Sequence, residues 1–250
     1  MLTADELERY ERQIMLEGFG EEGQERLKRA KVFIAGAGGL GSAASLYLTA
    51  AGVGVIRIVD HDRVELSNLN RQVLHWEKDI GKRKVVSTLE KLEQLNQGVD
   101  IEAIDETMTE ANVSQLVADF DLIVDAMDNL PTRYLLNKTA LAKGIPFFHG
   151  AVYGFEGRAM TIIPGETACL MCVYRGATHV LDEGKFPVIG VTPATIGCIQ
   201  AMEVIKYVVG IGKLLTNRLL IYDGLNLKFS EFLVRRDPNC KHCGNLVSTE

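Results

Sequence analysis

The sequence predicts an α/β chain in which a doubly wound, mixed sheet carries helices on both faces. Three observations predict it. Short β-branched runs alternate with stretches of helical periodicity through the first 150 residues, the pattern of a parallel sheet with crossover helices. One of those runs ends in the glycine-rich turn Gly36-Ala37-Gly38-Gly39-Leu40-Gly41. The last third changes character, and its final strand alternates with period two, as an antiparallel edge does. At 250 residues and 47% hydrophobic content the chain buries one substantial core, and no repeat, low-complexity tract or Pro/Ser-rich linker divides it.

The elements follow in order. Leu7, Tyr10 and Ile14 recur at i, i+3, i+7 over 7–17, predicting a helix that places Arg9 and Arg12 together on another face. A charged segment, Glu21 to Arg29, completes an N-terminal helical arm over 1–30. Lys31-Val32-Phe33-Ile34-Ala35 reads as a strand, and Leu40, Ala43, Ala44, Tyr47, Leu48 and Ala51 as the helix after the turn. Val55–Asp60 is the next strand and 82–96 the next helix, with Val85, Leu89 and Leu92 on one stripe. Ile101–Ile104, Asp121–Ala126 and Pro146–Gly150 continue the strands, with a helix over 131–143 between the last two; together 31–150 forms a nucleotide-binding half. Strands at Arg158–Ile163, Leu219–Asp223 and Leu227–Val234 make up a mixed-sheet half over 151–244, ahead of a tail at 245–250. Within that half, Tyr174–Val191 is glycine-rich and polar, with His179, Asp182, Glu183 and Lys185, and is expected to be a mobile loop. The helix near 194–209 is mostly apolar and expected to be buried.

Gly36, Gly38 and Gly41 fit G-x-G-x-x-G directly after a strand and at the opening of a helix, and Asp60 ends the following strand. This is a Rossmann-type arrangement. The turn is tight, the backbone must approach phosphate closely, and the helix N-terminus adds unpaired N–H groups and a positive dipole end. A carboxylate at Asp60 accepts hydrogen bonds from ribose hydroxyls. NAD, FAD and ATP users all employ this fingerprint, so other residues must choose among them. Ser67-Asn68-Leu69-Asn70-Arg71-Gln72 packs amides and an arginine just past Asp60, and Lys82-Arg83-Lys84 opens the next helix. A triphosphate awaiting attack by an anion needs several fixed cations, whereas a dinucleotide's pyrophosphate is served largely by the turn itself. Two unit charges about 4 Å apart at an effective dielectric near 20 interact by about 4 kcal/mol, so each aligned cation matters. A solvated basic helix start is the competing account of Lys82–Lys84. Asp125-Ala126-Met127-Asp128-Asn129 follows an apolar strand, where ligands of open α/β sheets sit. Asp128 is the candidate magnesium ligand, with capping of the helix near Pro131 as its alternative role.

Cys169-Leu170-Met171-Cys172 and Cys240-Lys241-His242-Cys243 supply two Cys-x-x-Cys pairs, the ligand type and spacing of a closed tetrahedral zinc site. The separation between the pairs is too long for a compact finger, so the metal is expected to pin the tail to the body of the fold. A site of four thiolates has no open position for water and is assigned to structure. His242 is expected to be a bystander. Cys198 is the cysteine left over; it lies among Ile196, Ile199 and Met202 and is expected in the core, with a nucleophilic thiol as the alternative. His149, after Phe147-Phe148 at a strand end, is expected to be a satisfied structural imidazole, with lining of the pocket as its alternative role.

Net charge −6 and a pI near 5.5 argue against nucleic-acid binding, which relies on dense cationic stripes. The start Met1-Leu2-Thr3-Ala4-Asp5-Glu6 lacks the basic region of a signal peptide, and no apolar run reaches bilayer length. A cytoplasmic protein with no membrane partner is expected, in which paired cysteines bind metal rather than oxidise.

Arg9-Tyr10-Glu11-Arg12-Gln13, the Gly-x-Gly-Gly-Leu-Gly turn, Ser67–Gln72, Gly81 with Lys84, Asp125-x-x-Asp128-Asn129 and the double Cys-x-x-Cys together resemble the MoeB/ThiF/HesA group of the ubiquitin-activating enzyme superfamily. The likeness runs from about residue 5 to 244, so 1–250 is expected to be a single adenylating domain. What the resemblance implies is ATP-dependent adenylation of the C-terminal glycine carboxylate of a small ubiquitin-like sulfur-carrier protein, with release of pyrophosphate. It implies that Gly39 and Asp60 contact the nucleotide, with Asn68, Arg71 and Lys84 at the ribose and phosphates. Asp128 would hold magnesium, and Arg12 would reach across a homodimer to the neighbouring site; Gln72 and Asn129 fall within the same motifs. Many relatives carry a cysteine in the loop after the first zinc pair, but Tyr174–Val191 has none, so no thioester step is expected. Three other readings stay open here: an NAD(P)-dependent oxidoreductase resting on the glycine turn, a tRNA-modifying relative that adenylates a small carboxylate, and a non-catalytic zinc-bound scaffold.

Overall fold

The computed structural model describes residues 1–175, 177 and 186–246. Helix α1 (Ala4–Ile14) starts at a capping box in which the Thr3 hydroxyl accepts from the Glu6 N–H and the Glu6 carboxylate accepts from the Thr3 N–H. It packs on α2 (Gly20–Arg29), and buried Tyr10 reaches the Asn96 side chain at 2.8 Å.

An eight-stranded sheet organises the rest of the described residues. Its strands are β1 (Lys31–Ala35), β2 (Val55–Val59), β3 (Asp100–Ile104), β4 (Leu122–Asp125), β5 (Phe147–Tyr153), β6 (Glu156–Ile162), β7 (Arg218–Asp223) and β8 (Lys228–Leu233). They lie in the order β3-β2-β1-β4-β5-β6-β7-β8. The first five are parallel, and β5 to β8 form an antiparallel meander. The mixed sheet is therefore as the sequence predicts, and β8 is its exposed edge.

Because successive strand residues face opposite ways, β1 feeds two cores. Val32 and Ile34 join Ile56, Ile58 and Val124 under α3 (Gly39–Ala51), α4 (Lys84–Leu95) and α8 (Val191–Val209). Phe33 and Ala35 join Val59 and Ile123 under α5 (Val113–Leu116) and α6 (Leu130–Lys143), with the short α7 (Leu170–Tyr174) on the same side. Helices α3 and α8 approach closely because Gly197 has no side chain: a Cβ there would lie 2.5 Å from the Leu40 carbonyl oxygen.

The differences from the sequence reading are local. Helix α7 and the turns at Leu66–Asn68 and Glu77–Asp79 are too short to show a period. Tyr174, read as the start of a loop, ends α7, and Val191 begins α8. His179, Asp182, Glu183 and Lys185, and with them the expected mobility of that loop, lie outside the described residues. Helix α8 is only partly covered: Met202 and Tyr207 are exposed, and Cys198 is half-buried rather than in the core.

Candidate active site and cysteine cluster

The strand order reverses between β1 and β4, and the crevice at such a switch point opens at the C-terminal ends of the strands. A cavity of about 910 Å³ lies there, lined by Gly36, Gly38 and Gly39 after β1, Asp60 after β2, Ala126 to Asn129 after β4, and Ala151 to Tyr153 on β5. Gly41 makes the turn possible, since a Cβ on it would lie 1.9 Å from the Gly36 carbonyl oxygen. Asp60 braces the turn: its Oδ2 accepts from the Ala37 N–H at 2.8 Å and its Oδ1 from the Asp62 N–H at 2.8 Å.

Asn68, Arg71, Gln72 and Lys84 line the same cavity. The Arg71 guanidinium is braced by the Ser67 carbonyl at 2.8 Å and the Asn70 side chain at 3.1 Å. Asn68 is buried, and its Oδ1 accepts from the Glu65 N–H at 3.1 Å. Gln72 is also buried, and its Oε1 has no hydrogen-bond partner among the described residues. Lys84, nearly buried at the start of α4, donates to Asp62 at 2.8 Å. Burial pushes the Asp62 carboxyl up, but the bond and charge of Lys84 outweigh it and hold the group below its ordinary range.

Only part of the predicted cationic cluster reaches the cavity. Lys82 pairs with Asp79 at 3.1 Å and Glu90 at 2.9 Å, and Arg83 with Asp105 at 2.7 Å; of the three, Lys84 lines the cavity. Asp128 is exposed on the cavity wall and is not the cap of α6. Asn129 takes that role, its side chain accepting from the Thr132 N–H at 2.9 Å, which leaves the Asp128 carboxylate facing the crevice. Arg12 lies on the exposed side of α1 and does not line its own chain's cavity.

The cavity is also lined by residues that sequence reasoning missed: Asp62 beside Lys84, and Arg133, Glu156, Arg158 and Tyr174. His149 is fully buried beneath them, with Nδ1 2.7 Å from Asp125 and Nε2 3.0 Å from the Tyr174 hydroxyl. A carboxylate only accepts, so His149 donates from Nδ1 and receives the tyrosine proton at Nε2. Burial pushes the ring's pKa down, more than Asp125 raises it. His149 is thus the satisfied structural imidazole expected from sequence. Arg158 is gripped by Glu156 through two bonds of 2.8 and 2.6 Å. The pairing of β5 with β6 brings Glu156 and Arg158 to the crevice, and α6 and α7 bring Arg133 and Tyr174; nothing in their local sequence signals it.

The four cysteines of the two Cys-x-x-Cys pairs converge. Cys169 Sγ lies 4.0 Å from that of Cys172 and 3.7 Å from that of Cys240, and Cys172 lies 3.5 Å from Cys243. Zinc–sulfur bonds of about 2.3 Å in tetrahedral array require sulfurs roughly 3.8 Å apart, so this set fits zinc. Cys169 and Cys172 sit at the start of α7 and within it, and Cys240 and Cys243 in the C-terminal segment, which joins the tail to the fold. Burial pushes the Cys243 thiol up to about 11; a bound divalent cation would draw it back down. His242 is turned away, its Nδ1 3.0 Å from Asn137, so it is a bystander.

A family model described as the ThiF family matches residues 10–242. The chain is 44% identical over 246 residues to the SAMP-activating enzyme E1 of Haloferax volcanii, covering 97% of this chain and 91% of that protein. It is 44% identical over 253 residues to the sulfur carrier protein adenylyltransferase of Thermus thermophilus, covering 97% and 93%. Among solved structures, E. coli MccB with ATP superposes with a TM-score of 0.85 at 25% identity, over 94% of this chain and 74% of that one.

Proposed function

The chain belongs to the ThiF family, and from that premise we propose that it is an adenylyltransferase acting on the C-terminal glycine carboxylate of a small ubiquitin-like sulfur-carrier protein. The carboxylate attacks the α-phosphorus of ATP, an acyl–phosphate bond forms as the bond to the β-phosphate oxygen breaks, and pyrophosphate leaves. The observation that carries this reading is the meeting of the glycine turn, Arg71, Lys84 and Asp128 in one crevice.

Two anions must approach one another, so the site's work is electrostatic and positional. The glycine turn and the start of α3 offer N–H groups to the phosphates. Asp60 and Asn68 serve the ribose, with Gln72 Oε1 an unpartnered buried acceptor suited to a ligand hydroxyl. Arg71 and Lys84 hold charge that develops during attack, and their anchors at Ser67 and Asp62 keep them from following the substrate. Asp128, with Asn129 beside it, presents an exposed carboxylate that would hold a magnesium ion, which would supply neutralising charge to the crevice. The carrier's extended tail fits the remaining space along β5 and β6, past Tyr153, Arg158 and Tyr174. Arg12 completes the site of a neighbouring subunit in a homodimer. Zinc in the cysteine cluster is structural. Transfer proceeds without a thioester, since 174–191 contains no cysteine. No helix among the described residues is long and apolar enough to cross a membrane, and the proposed setting is the cytoplasm.

The test is exchange of labelled pyrophosphate into ATP. It is expected only with a Gly-Gly-ended ubiquitin-like partner present, and Arg71→Ala or Asp128→Ala is expected to abolish it. Exchange surviving both substitutions rejects the assignment, and binding of a nicotinamide nucleotide in place of ATP rejects the reaction class.

A further inference from the structure

Against the glycine turn, His75 is buried at 3% exposure and is not among the residues that line the cavity. Its Nε2 lies 3.0 Å from the Ala37 carbonyl oxygen and its Nδ1 3.0 Å from the Ser87 hydroxyl. Ser87 in turn lies 3.0 Å from the Lys91 ammonium, which also pairs with fully buried Asp79. Donor and acceptor roles along this line follow from chemistry. An ammonium only donates, so the Ser87 oxygen accepts from Lys91 and its own proton goes to His75 Nδ1. A carbonyl only accepts, so His75 carries its proton on Nε2 and gives it to Ala37. The line is a one-way series of donors that starts at a buried ion pair and ends on the turn.

Ala37 is held on both sides, since its N–H is bonded to Asp60. In a planar trans peptide the carbonyl and the next residue's N–H point in opposite directions, and no peptide bond among the described residues is cis. A carbonyl drawn back toward His75 therefore turns the Gly38 N–H forward, into the cavity that Gly38 lines.

We infer that His75 is a positioning residue for adenylation: by holding the Ala37 carbonyl, it aims the Gly38 N–H at the ATP phosphates. A donor aimed in advance costs no reorganisation as charge moves during attack, which is where such groups act most strongly. The inference rests on ATP as the occupant of the cavity. His75 touches no substrate atom itself.

The test uses His75→Asn, His75→Gln and the wild-type protein. Asparagine places its amide where Nδ1 stands and cannot reach Ala37; glutamine places a donor near the Nε2 position. The Asn variant is expected to bind ATP roughly tenfold more weakly and to lose on the order of 100-fold in carrier-dependent pyrophosphate exchange. Adenosine affinity should be unchanged, because the aimed N–H meets phosphate and not nucleoside. The Gln variant is expected to recover most of both losses. Wild-type ATP affinity in the Asn variant, equal losses for ATP and adenosine, or failure of Gln to recover either quantity overturns the inference. Should the Asn variant not fold, the imidazole ¹⁵N shifts of the wild-type protein decide: a proton on Nε2 with a bare Nδ1 is expected, and the opposite tautomer overturns it. If wild-type protein binds ATP but shows no exchange with any Gly-Gly-ended partner, the adenylation reading falls while the His75 comparison still reads through ATP binding. If wild-type protein binds no ATP, both fall.

Discussion

Gly41→Ala places one methyl group at the most crowded point of the glycine turn. Its Cβ would sit 1.9 Å from the Gly36 carbonyl oxygen and 2.9 Å from the Gly36 carbonyl carbon, where 3.0 Å is already the floor for real contacts. Both neighbours are backbone, so no side chain can swing aside, and β1 and α3 must separate by roughly 1 Å at their junction. Overpacking of this kind costs about 1–3 kcal/mol, which for a chain of this size lowers Tm by ~2–4 °C per kcal/mol. The functional loss should be larger than the stability loss suggests, because a ~1 Å misplacement of positioning groups costs on the order of 10²-fold in rate. Gly144→Ala is the control. At the C-cap of α6, Gly144 has φ +69° and nothing within 4 Å of where a Cβ would stand, so it should lose about 1–2 kcal/mol from backbone strain and keep its activity. Thermal melts and pyrophosphate exchange on the two variants separate these effects. A Gly41→Ala protein that folds and exchanges pyrophosphate at the wild-type rate would refute the claim that the turn cradles phosphate.

Lys84→Met should lower kcat for exchange by ~10²–10³, whereas Lys82→Ala, whose ammonium is committed to Asp79 and Glu90, should stay within a few-fold of wild type. Steady-state exchange kinetics on the pair check this. Asp79 is buried, which raises its pKa, but bonds from Lys91, the Trp76 N–H and Lys82 more than reverse that and hold it well below its ordinary value of 3.8. Its ionised form therefore contributes stability that is fully present above that value and is lost as pH falls through the depressed folded pKa. Asp79→Asn should cost about 3–5 kcal/mol near neutral pH, because it removes the closest partner of buried Lys91 and leaves its ammonium with the longer 3.7 Å contact to Glu90. The gap to wild type should narrow in urea melts taken at progressively more acid pH; a gap that widens contradicts the assignment. For the cysteine cluster, metal analysis should find one zinc per chain, and a chelator should lower Tm whereas a reductant alone should not. Cys240→Ser should reproduce the chelator's effect.

The fold is largely legible in the sequence because each long element has its own period. The β1–turn–α3 unit is written in a short apolar run, three spaced glycines and a helical stripe, and the two cysteine pairs announce a metal site without knowledge of the path between them. Legibility fails where contacts join residues distant in sequence. Arg158, Glu156 and Tyr174 reach the crevice only through the β5–β6 hairpin and α7, and Asp62 matters only because α4 brings Lys84 back to it. Lys82, Arg83 and Lys84 look equivalent in sequence, yet helix geometry sends their charges to different partners. The cap of α6 stands one residue beyond the position its sequence suggests: Asn129, rather than Asp128, bonds the Thr132 N–H. His75 gives no signal, because an isolated histidine acquires meaning only when Ala37, Ser87 and Lys91 surround it.

The most direct test of the adenylation account is the intact mass of a Gly-Gly-ended ubiquitin-like partner after incubation with this protein, ATP, magnesium and a pyrophosphatase. The partner should gain one adenylyl group, with two phosphates appearing per group through the pyrophosphatase and no ADP, and deleting the partner's terminal glycine should prevent both. Release of ADP in place of AMP-linked partner, or a partner whose mass never changes while ATP is consumed, would contradict the adenylation chemistry.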